Sequence, residues 1–561
     1  MKWLWICILN ISVLQAQVDR YALVINEIMV DPSPTVGLPN AEYIELRNCS
    51  KQTIDLKKWK IEKGSSTYII GGTIFLKPDS LIVLCSKSNL NLLSQHSRAF
   101  AMNSFPSLIN DEGLLILKSP ENKTIHAIAY TSSWHENTIK STGGWSLEMI
   151  DPNKPCAENN WTSSVHSSGG TPGAENSVYK SKSIVDELNI NQCIGVTDKS
   201  LLLQFNNGMD SAALSNPMNY TIANTPIQIQ SAKTTGPLFN EVILTLTSPL
   251  NTNTIYKLRL NNLQSCKREK SFAGEIETGL LKDPLPNDII INEILFNPPA
   301  DGKDFIELLN NTNSIININD LYLSSFNQLG ALKTSYKIGE GFFNLFPKDY
   351  VIITEDTAFV KKYWPSSFHK KMIQLKTLPS LPDDNGNIAV LDKQGKQIDK
   401  MVYSDNMHYP FLHDVSGVSL ERIESNGLSD EKSNWHSASS SSNYATPTQE
   451  NSQHKKTIAT NTSFTPSSHV ITPNNDGVED IFQLQYKLSE AGYMCSVYLF
   501  GLNGNMIMKI IDNQLLGTSG SILWNGLKGT SLLPSGIYVI YVEATHLKSK
   551  TIKEKLVVAI R

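Results

Sequence analysis

Acidic side chains recur at matching positions in two distant parts of the chain: Glu27 with Glu293, Glu42 with Asp304, and Glu45 with Glu307. Carboxylates gathered in this way could bind a divalent cation and activate water, as in a metal-dependent hydrolase. They also have a structural interpretation. Glu27 follows Asn26 at a strand end, where a carboxylate can accept N–H groups of a turn, and Glu45 alternates with apolar neighbours, which predicts the outward face of a strand. We favour the structural interpretation because motifs such as HExxH are absent.

A second candidate ion site is the segment NNDGVED at positions 474–480. Oxygen-bearing residues at alternate positions, with Gly after the third, resemble a calcium loop, and Asn474, Asp476 and Asp480 would be the ligands. The alternative is a polar turn that opens the last domain. We favour the turn, because an EF-type loop needs more carboxylate charge and a bidentate Glu at its end. Calcium is the one cofactor considered, and no other is predicted.

Nucleophilic and histidine chemistry finds little support in the sequence. Ser146 in GWSLE and Ser419 in GVSLE do not fit the GxSxG nucleophile motif. His135 and His408 recur at corresponding places, which predicts a shared structural position rather than a metal ligand. We therefore predict no catalytic residue and no enzymatic activity.

Three tryptophans in the repeated motifs, Trp145, Trp161 and Trp435, could stack on sugars if they are exposed. Aromatic side chains in repeated motifs more often pack between strands. Packing is therefore the favoured interpretation.

The elements that would position these residues occur twice. Leu23–Met29 (LVINEIM) returns as Ile289–Leu295 (IIINEIL), GWSLEMI at 144–150 returns as GVSLERI at 417–423, and TPGAENS at 171–177 returns as TPTQENS at 446–452. The repeat is far longer than a solenoid unit of about 20–50 residues, so each copy is predicted to be a self-standing domain.

The chain has 561 residues, a net charge of −4 and a pI near 6.3, so it lacks the basic character of a nucleic-acid-binding protein. Residues 1–16 read as a secretory signal with a basic Lys2 and a short apolar core. No later stretch is apolar enough to be a transmembrane helix. We expect an exported protein without a transmembrane segment.

Outside the signal there are six cysteines and no CxxC pair. Cys193 and Cys266 lie near the two ends of one middle segment, and we predict a disulfide between them. The first copy holds an odd number, Cys49, Cys85 and Cys156, so its pairing stays open.

Short β-branched runs bounded by Gly, Pro, Asn and Asp fill the chain, and neither copy shows a sustained helical period with caps. The predicted fold class is all-β, with tandem Ig-like β-sandwich domains. After the signal at 1–16 the predicted domains are 17–178, 183–278 and 287–452, then a flexible linker at 453–468 and a last domain at 469–561.

The series INEIM, EYIEL, GGWSLEMIDP, NW and GGTPGAENS resembles the bacterial lamin tail domain, an Ig-type sandwich, and both copies match over most of their length. The second copy lacks the long DPSPTVGLP loop, the GGTPG glycines and the Trp that Val418 replaces. The middle segment is similar to bacterial Ig-like domains of surface proteins. The last domain, through TPNNDGVED and LPSGIYVIYVEA, resembles the C-terminal Ig-like sorting domains of type IX secretion and of flagellar hook-capping proteins.

These resemblances imply a secreted or cell-surface binding or adhesion protein of a Gram-negative-type bacterium, without catalysis. Its partners would be the outer-membrane secretion machinery, through the C-terminal domain, and an extracellular ligand, either glycan or protein. Nucleic acid is not an expected partner. The alternatives are a secreted metal-dependent hydrolase and a carbohydrate-binding protein.

Overall fold

The computed structural model describes residues 18–157, 159–184, 188–339, 344–365, 367, 371–455 and 462–561. The predicted signal and part of the predicted linker lie outside these residues. The chain divides into two compact units, 1–251 with 255–278, and 252–254 with 279–561. The first unit holds the first repeat and the middle domain, and the second holds the second repeat and the C-terminal domain. Both units are built from strands, so the predicted all-β class is confirmed.

The first repeat is a two-sheet structure. Its six-stranded sheet has the order Trp161–Ser163, Leu147–Met149, Leu23–Met29, Tyr43–Asn48, Leu81–Cys85 and Ala99–Ala101. The facing four-stranded sheet has the order Thr124–Thr131, Glu112–Lys118, Lys60–Lys63 and Ser66–Ile69, and Ile54–Asp55 pairs with Phe75–Leu76. Its short helices are Lys87–Asn89, Leu90–Leu93, Ser132–His135 and Lys140–Thr142.

The second repeat has the same arrangement. Its six-stranded sheet has the order Trp435–Ser437, Leu420–Arg422, Ile289–Leu295, Phe305–Asn310, Tyr350–Thr354 and Met372–Gln374. The four-stranded sheet has the order Gln397–Ser404, Asn385–Leu391, Tyr322–Ser324 and Tyr336–Lys337, and Leu281–Lys282, Ile315–Asn317 and Asn344–Leu345 form a small sheet. The helices are Thr357–Tyr363, Asp405–Met407, Lys432–Asn434 and Ser440–Ser442. Within each repeat the edge strand next to Leu81–Cys85 or Tyr350–Thr354 runs parallel to it.

One helix was not expected from the sequence. Thr357–Tyr363 begins after Asp356, whose carboxylate accepts the N–H groups of Ala358 at 2.8 Å and Phe359 at 3.1 Å. This is an N-cap, and the helix buries Phe359 and Val360. Because it has only seven residues, it is too short to show a sustained period in the sequence.

The six-stranded sheet of the first repeat is buried on both faces. Ile25, Ile44 and Leu46 pack toward the four-stranded sheet in the main core, whereas Met29 and Tyr43 belong to a second apolar cluster on the opposite face. Antiparallel sheets often keep one face in solvent, and this one does not. The covering chain includes the loop with Leu38 and the segment at 171–178.

The middle domain and the C-terminal domain also have two main sheets each. The middle domain pairs Ile190–Thr197, Ser200–Phe205, Glu241–Leu246 and Ile229–Thr235 in one sheet, and Tyr220–Ile222, Tyr256–Gln264 and Ser271–Thr278 in the other. It also has the short helices Ser211–Leu214 and Pro217–Asn219.

The C-terminal domain has one sheet of Ser463–Pro466, Phe482–Lys487 and Ser519–Trp524, and one of Val470–Ile471, Ile552–Ile560, Gly536–His546, Tyr493–Gly501 and Met506–Leu515. Leu527–Lys528 pairs with Ser531–Leu532. Tyr493–Gly501 and Met506–Leu515 pair antiparallel across Asn503-Gly504, a dipeptide that is typical of tight hairpin turns, and Gly504 has φ +80.

Candidate functional site

Three glutamates form a row across the six-stranded sheet of each repeat. In the first repeat Glu27 lies directly opposite Glu45 on one neighbouring strand and opposite Glu148 on the other. The second repeat places Glu293 between Glu307 and Glu421 in the same way. All six side chains are 0% exposed. Glu148 and Glu421 were not singled out from the sequence, although the repeated SLE of GWSLEMI and GVSLERI carries them.

A β-bulge sets up each row. Ile25 pairs with Leu46 and Glu27 with Glu45, so Asn26 is an extra residue in its strand. The bulge turns Glu27 onto the face opposite the main core. Asn292 is the extra residue in the second repeat, where Ile291 and Glu293 flank the same register shift.

The chain that leaves the first repeat docks onto this row. The segment at 171–178 donates one backbone N–H to each carboxylate: Thr171 to Glu27 at 2.8 Å, Gly173 to Glu45 at 2.6 Å and Val178 to Glu148 at 3.2 Å. The second repeat repeats the pattern, with Thr446 to Glu293, Thr448 to Glu307 and Gln453 to Glu421. The TPGAENS and TPTQENS motifs are therefore the segments that the glutamates hold.

Asparagines fasten the same segment to the bulge. Asn26 Nδ2 donates to Glu45 Oε1 at 2.9 Å and to Asn176 Oδ1 at 2.8 Å. Asn176 Nδ2 in turn donates to the carbonyls of Asn26 and Met149 at 2.9 and 2.8 Å. Asn292 and Asn451 make the equivalent contacts in the second repeat. Buried polar groups of this kind are satisfied by one another rather than by water.

Burial raises the pKa of Glu27, Glu45, Glu293, Glu307 and Glu421. The pKa of Glu27 rises to about 7, because burial disfavours its charge and Glu148 adds a neighbouring negative charge. Burial likewise raises the pKa of Glu307 to about 8 and holds those of Glu45 and Glu293 well above their usual range. Glu27 Oε1 accepts from Tyr43, Ser146 and Thr171, whereas its Oε2 is buried without a hydrogen-bond partner.

The expectation that Glu45 lies on an outward face is wrong. Side chains of its strand do point alternately to the two faces of the sheet. However, the face that Glu45 shares with Tyr43 is covered by the exit segment and by a second apolar cluster. Glu42 is only half-buried and accepts the N–H of Leu108 at 3.3 Å, outside the row. Among the described residues, no group of three or more His, Cys, Asp or Glu side chains is placed to hold a metal ion. The carboxylates of the row are fully buried, and their hydrogen bonds hold the exit segment.

The predicted calcium ligands do lie together, in an exposed turn. Asp480 accepts backbone N–H groups from Asn474 at 3.0 Å, Asn475 at 2.7 Å and Gly477 at 2.7 Å. Asp476 accepts the N–H of Val478 at 2.8 Å and the side-chain amide of Asn474 at 3.0 Å. These oxygens close the turn, and calcium binding by Asn474, Asp476 and Asp480 stays a prediction.

The predicted Cys193–Cys266 disulfide is wrong. Cys266 is bonded to Cys156, with 6.5 Å between their Cα atoms, and Cys193 is a free thiol that is 2% exposed. Cys193 lies within strand Ile190–Thr197, so its side chain faces the domain core. Cys266 lies just beyond strand Tyr256–Gln264, beside a loop of the first repeat. The bond therefore joins two domains instead of closing one.

The repeated histidines occupy a shared structural position. His135 Nδ1 lies 2.9 Å from Ser163 Oγ, and His408 Nδ1 lies 3.0 Å from Ser437 Oγ. Burial lowers the pKa of each imidazole to about 4. Both histidines are therefore neutral packing residues, as the sequence predicted.

The repeats satisfy one buried backbone group in two ways. In the first repeat the N–H of Ile25 donates to His126 Nδ1 at 3.0 Å. In the second the N–H of Ile291 donates to Asp399 Oδ2 at 2.7 Å, and Arg422 pairs with that carboxylate at 3.3 Å. Arg422 is 1% exposed and takes the place of Met149 in the repeated motif. The second repeat thus carries a buried ion pair that the first replaces by a histidine and a methionine.

Two segments of the chain match one known protein family. The family model of the lamin tail domain matches residues 18–132 and 283–405. Both repeats match the lamin tail domain. Two glutamates of each row lie within the matched residues, whereas Glu148, Glu421 and both exit segments follow the matched residues in the chain. A search of curated proteins finds no match.

Solved structures give only distant likeness. The N-terminal part of the bacterial S-layer protein SbsC matches with 11% identity over 39% of this chain and 43% of that chain, at a TM-score of 0.16. A tetra-tandem repeat from the extending region of a large adhesion protein matches with 9% identity over 96% of this chain and 99% of that chain, at a TM-score of 0.12. The Bacteroides ovatus protein SGBP-B, solved with a mixed-linkage heptasaccharide, matches with 10% identity over 68% of this chain and 71% of that chain, at a TM-score of 0.14. The chain thus spans less than half the length of the SbsC fragment, and scores this low establish no shared architecture.

Proposed function

We propose that this chain is a non-enzymatic, multi-domain binding or adhesion protein that works outside the cell. The proposal rests on where the repeated polar motifs lie in the folded chain. The glutamates of the two rows are buried and hold the exit segments, so these carboxylates are not exposed for chemistry on a substrate. The hydrolase alternative loses its motivation, because it depended on those carboxylates.

The domain plan supports display rather than catalysis. Each lamin tail repeat is followed by another β-domain, and the docked exit segment fixes where the next domain begins. Within the described residues, no helix is both long and apolar enough to cross a membrane. The proposed route is export by the signal at 1–16, followed by recognition of residues 469–561 by an outer-membrane secretion machinery.

Fractionation of the native cells, with intact mass spectrometry of the recovered protein, tests this function. We expect extracellular or surface-bound protein that begins at Gln17. A chain lacking 469–561 should remain in the periplasm, whereas a full-length chain with Glu175→Gln, an exposed residue outside that domain, serves as the control and should be exported. Export of the truncated chain would remove the sorting role. Full-length protein confined to the periplasm would contradict the surface function itself.

A further inference from the structure

A cleft of about 260 Å³ opens in the first unit, where the first lamin tail repeat meets the middle domain. Its walls include Arg20, Tyr21, Trp134 and Trp161 from the repeat, and Gly208 and Asn240 from the middle domain. The Cys156–Cys266 disulfide joins the two sides, and the N–H of Gly208 donates to the carbonyl of Cys156 at 3.1 Å. Junctions between domains are common places for small-ligand sites.

One wall of the cleft is aromatic. The rings of Trp134 and Trp161 are stacked, with centroids 5.8 Å apart and planes 19° from parallel. Trp161 is 6% exposed, whereas Trp134 is only half-buried. An indole offers a flat apolar surface with one polar edge, which suits the C–H face of a sugar ring. The second repeat has Met407 at the position of Trp134, so the aromatic pair is not a requirement of the fold.

The second feature of the cleft is the Arg20 guanidinium, which makes no ion pair with a described residue. The Arg20 guanidinium lies between the rings of Tyr21 and Phe239, at 4.7 and 4.2 Å from their centroids. Its Nη2 donates to the carbonyls of Pro237 and Leu238, at 3.2 and 3.3 Å. Its Nε is buried without a partner, and the described residues that line the cleft include neither Asp nor Glu. Arg20 as a whole is half-buried, and a charge partly removed from water without an opposite charge in contact is unfavourable, so an anion in the cleft would be favourable.

One carboxylate among the described residues acts on Arg20 but does not pair with it. Asp210 is the carboxylate that acts on Arg20 through space, and it is already paired with Arg268 at 2.9 Å. The rim adds the amides of Asn159 and Asn240, which suit the hydroxyl groups of a sugar. Asn160 also lines the cleft, but its amide is engaged by the backbone of Asp151 and Lys154.

We propose that this cleft binds one sugar residue that carries a carboxylate, such as a uronic acid of an extracellular polysaccharide. The sugar ring stacks on the tryptophan wall, and its carboxylate lies against the Arg20 guanidinium. The inference rests on the proposed function, because it identifies the ligand class of an extracellular binding protein. It assigns recognition to the junction that the disulfide holds rather than to the loops of the lamin tail repeats.

The test uses the mature full-length chain and isothermal titration with oligouronates, against the same oligosaccharides after reduction of their carboxyls to alcohols. Trp134→Met introduces the residue that the second repeat carries and should weaken oligouronate binding about tenfold, which corresponds to about 1.4 kcal/mol. Arg20→Gln should abolish the preference for the acidic over the reduced oligosaccharide. The matched control is Trp145→Val, which also introduces the second repeat's residue but lies outside the cleft, and it should bind normally.

Circular dichroism and an intact Cys156–Cys266 bond, checked by peptide mass mapping, identify folded variants. Binding that Trp134→Met leaves unchanged, equal affinity for acidic and reduced sugars, or no binding to either would overturn the cleft assignment. Each of these results leaves the proposed function in place if the protein is still found outside the cell. Cleft binding by a protein confined to the periplasm would instead contradict the proposed function and keep the site.

Discussion

Replacing Glu27 by Gln should stabilise the first lamin tail repeat at pH 8, although Glu27 belongs to the most strongly repeated motif of the chain. The amide oxygen of Gln can keep the three donors that reach Oε1, at 2.7 Å from Tyr43, 2.6 Å from Ser146 and 2.8 Å from Thr171. The amide nitrogen would take the place of Oε2, which has no partner.

The size of the effect follows from the pKa. The folded state raises the pKa of Glu27 from 4.5 to about 7, so the folded chain keeps a proton that the unfolded chain has released. The contribution of protonated Glu27 to the free energy of unfolding is fully present below pH 4.5 and is lost as the pH rises through about 7. At about 1.4 kcal/mol per pH unit, the loss is about 3 kcal/mol. Gln does not titrate, so the advantage of the variant grows by that amount across this range.

Differential scanning calorimetry of the full chain at pH 4.5, 6 and 8 would measure the difference. For a domain of this size, about 3 kcal/mol corresponds to a Tm difference of about 6–12 °C between variant and wild type at pH 8. The difference should shrink toward zero or reverse at pH 4.5. Glu175→Gln is the matched control, because Glu175 is exposed in the same exit segment. A Glu27→Gln effect that is constant with pH, or a loss of stability at pH 8, would refute the reasoning.

Three further predictions concern other parts of the chain. Peptide mapping without reduction should recover Cys156 linked to Cys266, and replacing both by Ser should cost about 2–5 kcal/mol in calorimetry; recovery of unlinked peptides would contradict the pairing. Arg422→Met should lower the free energy of unfolding by about 3–5 kcal/mol, because it leaves Asp399 buried without its cation. Adding Asp399→His should restore much of that stability, because it recreates the histidine and methionine of the first repeat. Urea unfolding measures both variants, and no recovery in the double variant would contradict this explanation. Asp480→Ala should cost about 0.5–1.5 kcal/mol in the C-terminal domain, because the three N–H groups that lose their acceptor lie in an exposed turn and can bind water instead. Calorimetry of the wild type with and without calcium checks whether the turn binds the ion, because bound calcium would raise the temperature of that transition.

Much of the fold could be predicted because its signals are local. Short β-branched runs, turn residues and the Asn503-Gly504 hairpin depend on neighbours in the chain, and all of them correspond to observed strands or turns. The duplication was equally visible, because two copies of one fold retain the same residues at the same places. The paired positions of His135 and His408 came from that comparison alone.

What the sequence determined by itself was therefore the all-β class, the two repeats and the polar residues that mark them. The tertiary structure decided what those residues do. The alternation of side chains along its strand shows which face of the sheet Glu45 occupies. Only the folded chain brings the exit segment, 128 residues away at Gly173, to cover that face. In the same way Cys266 has its partner 110 residues away in another domain, where spacing along the chain gives no measure of distance in space.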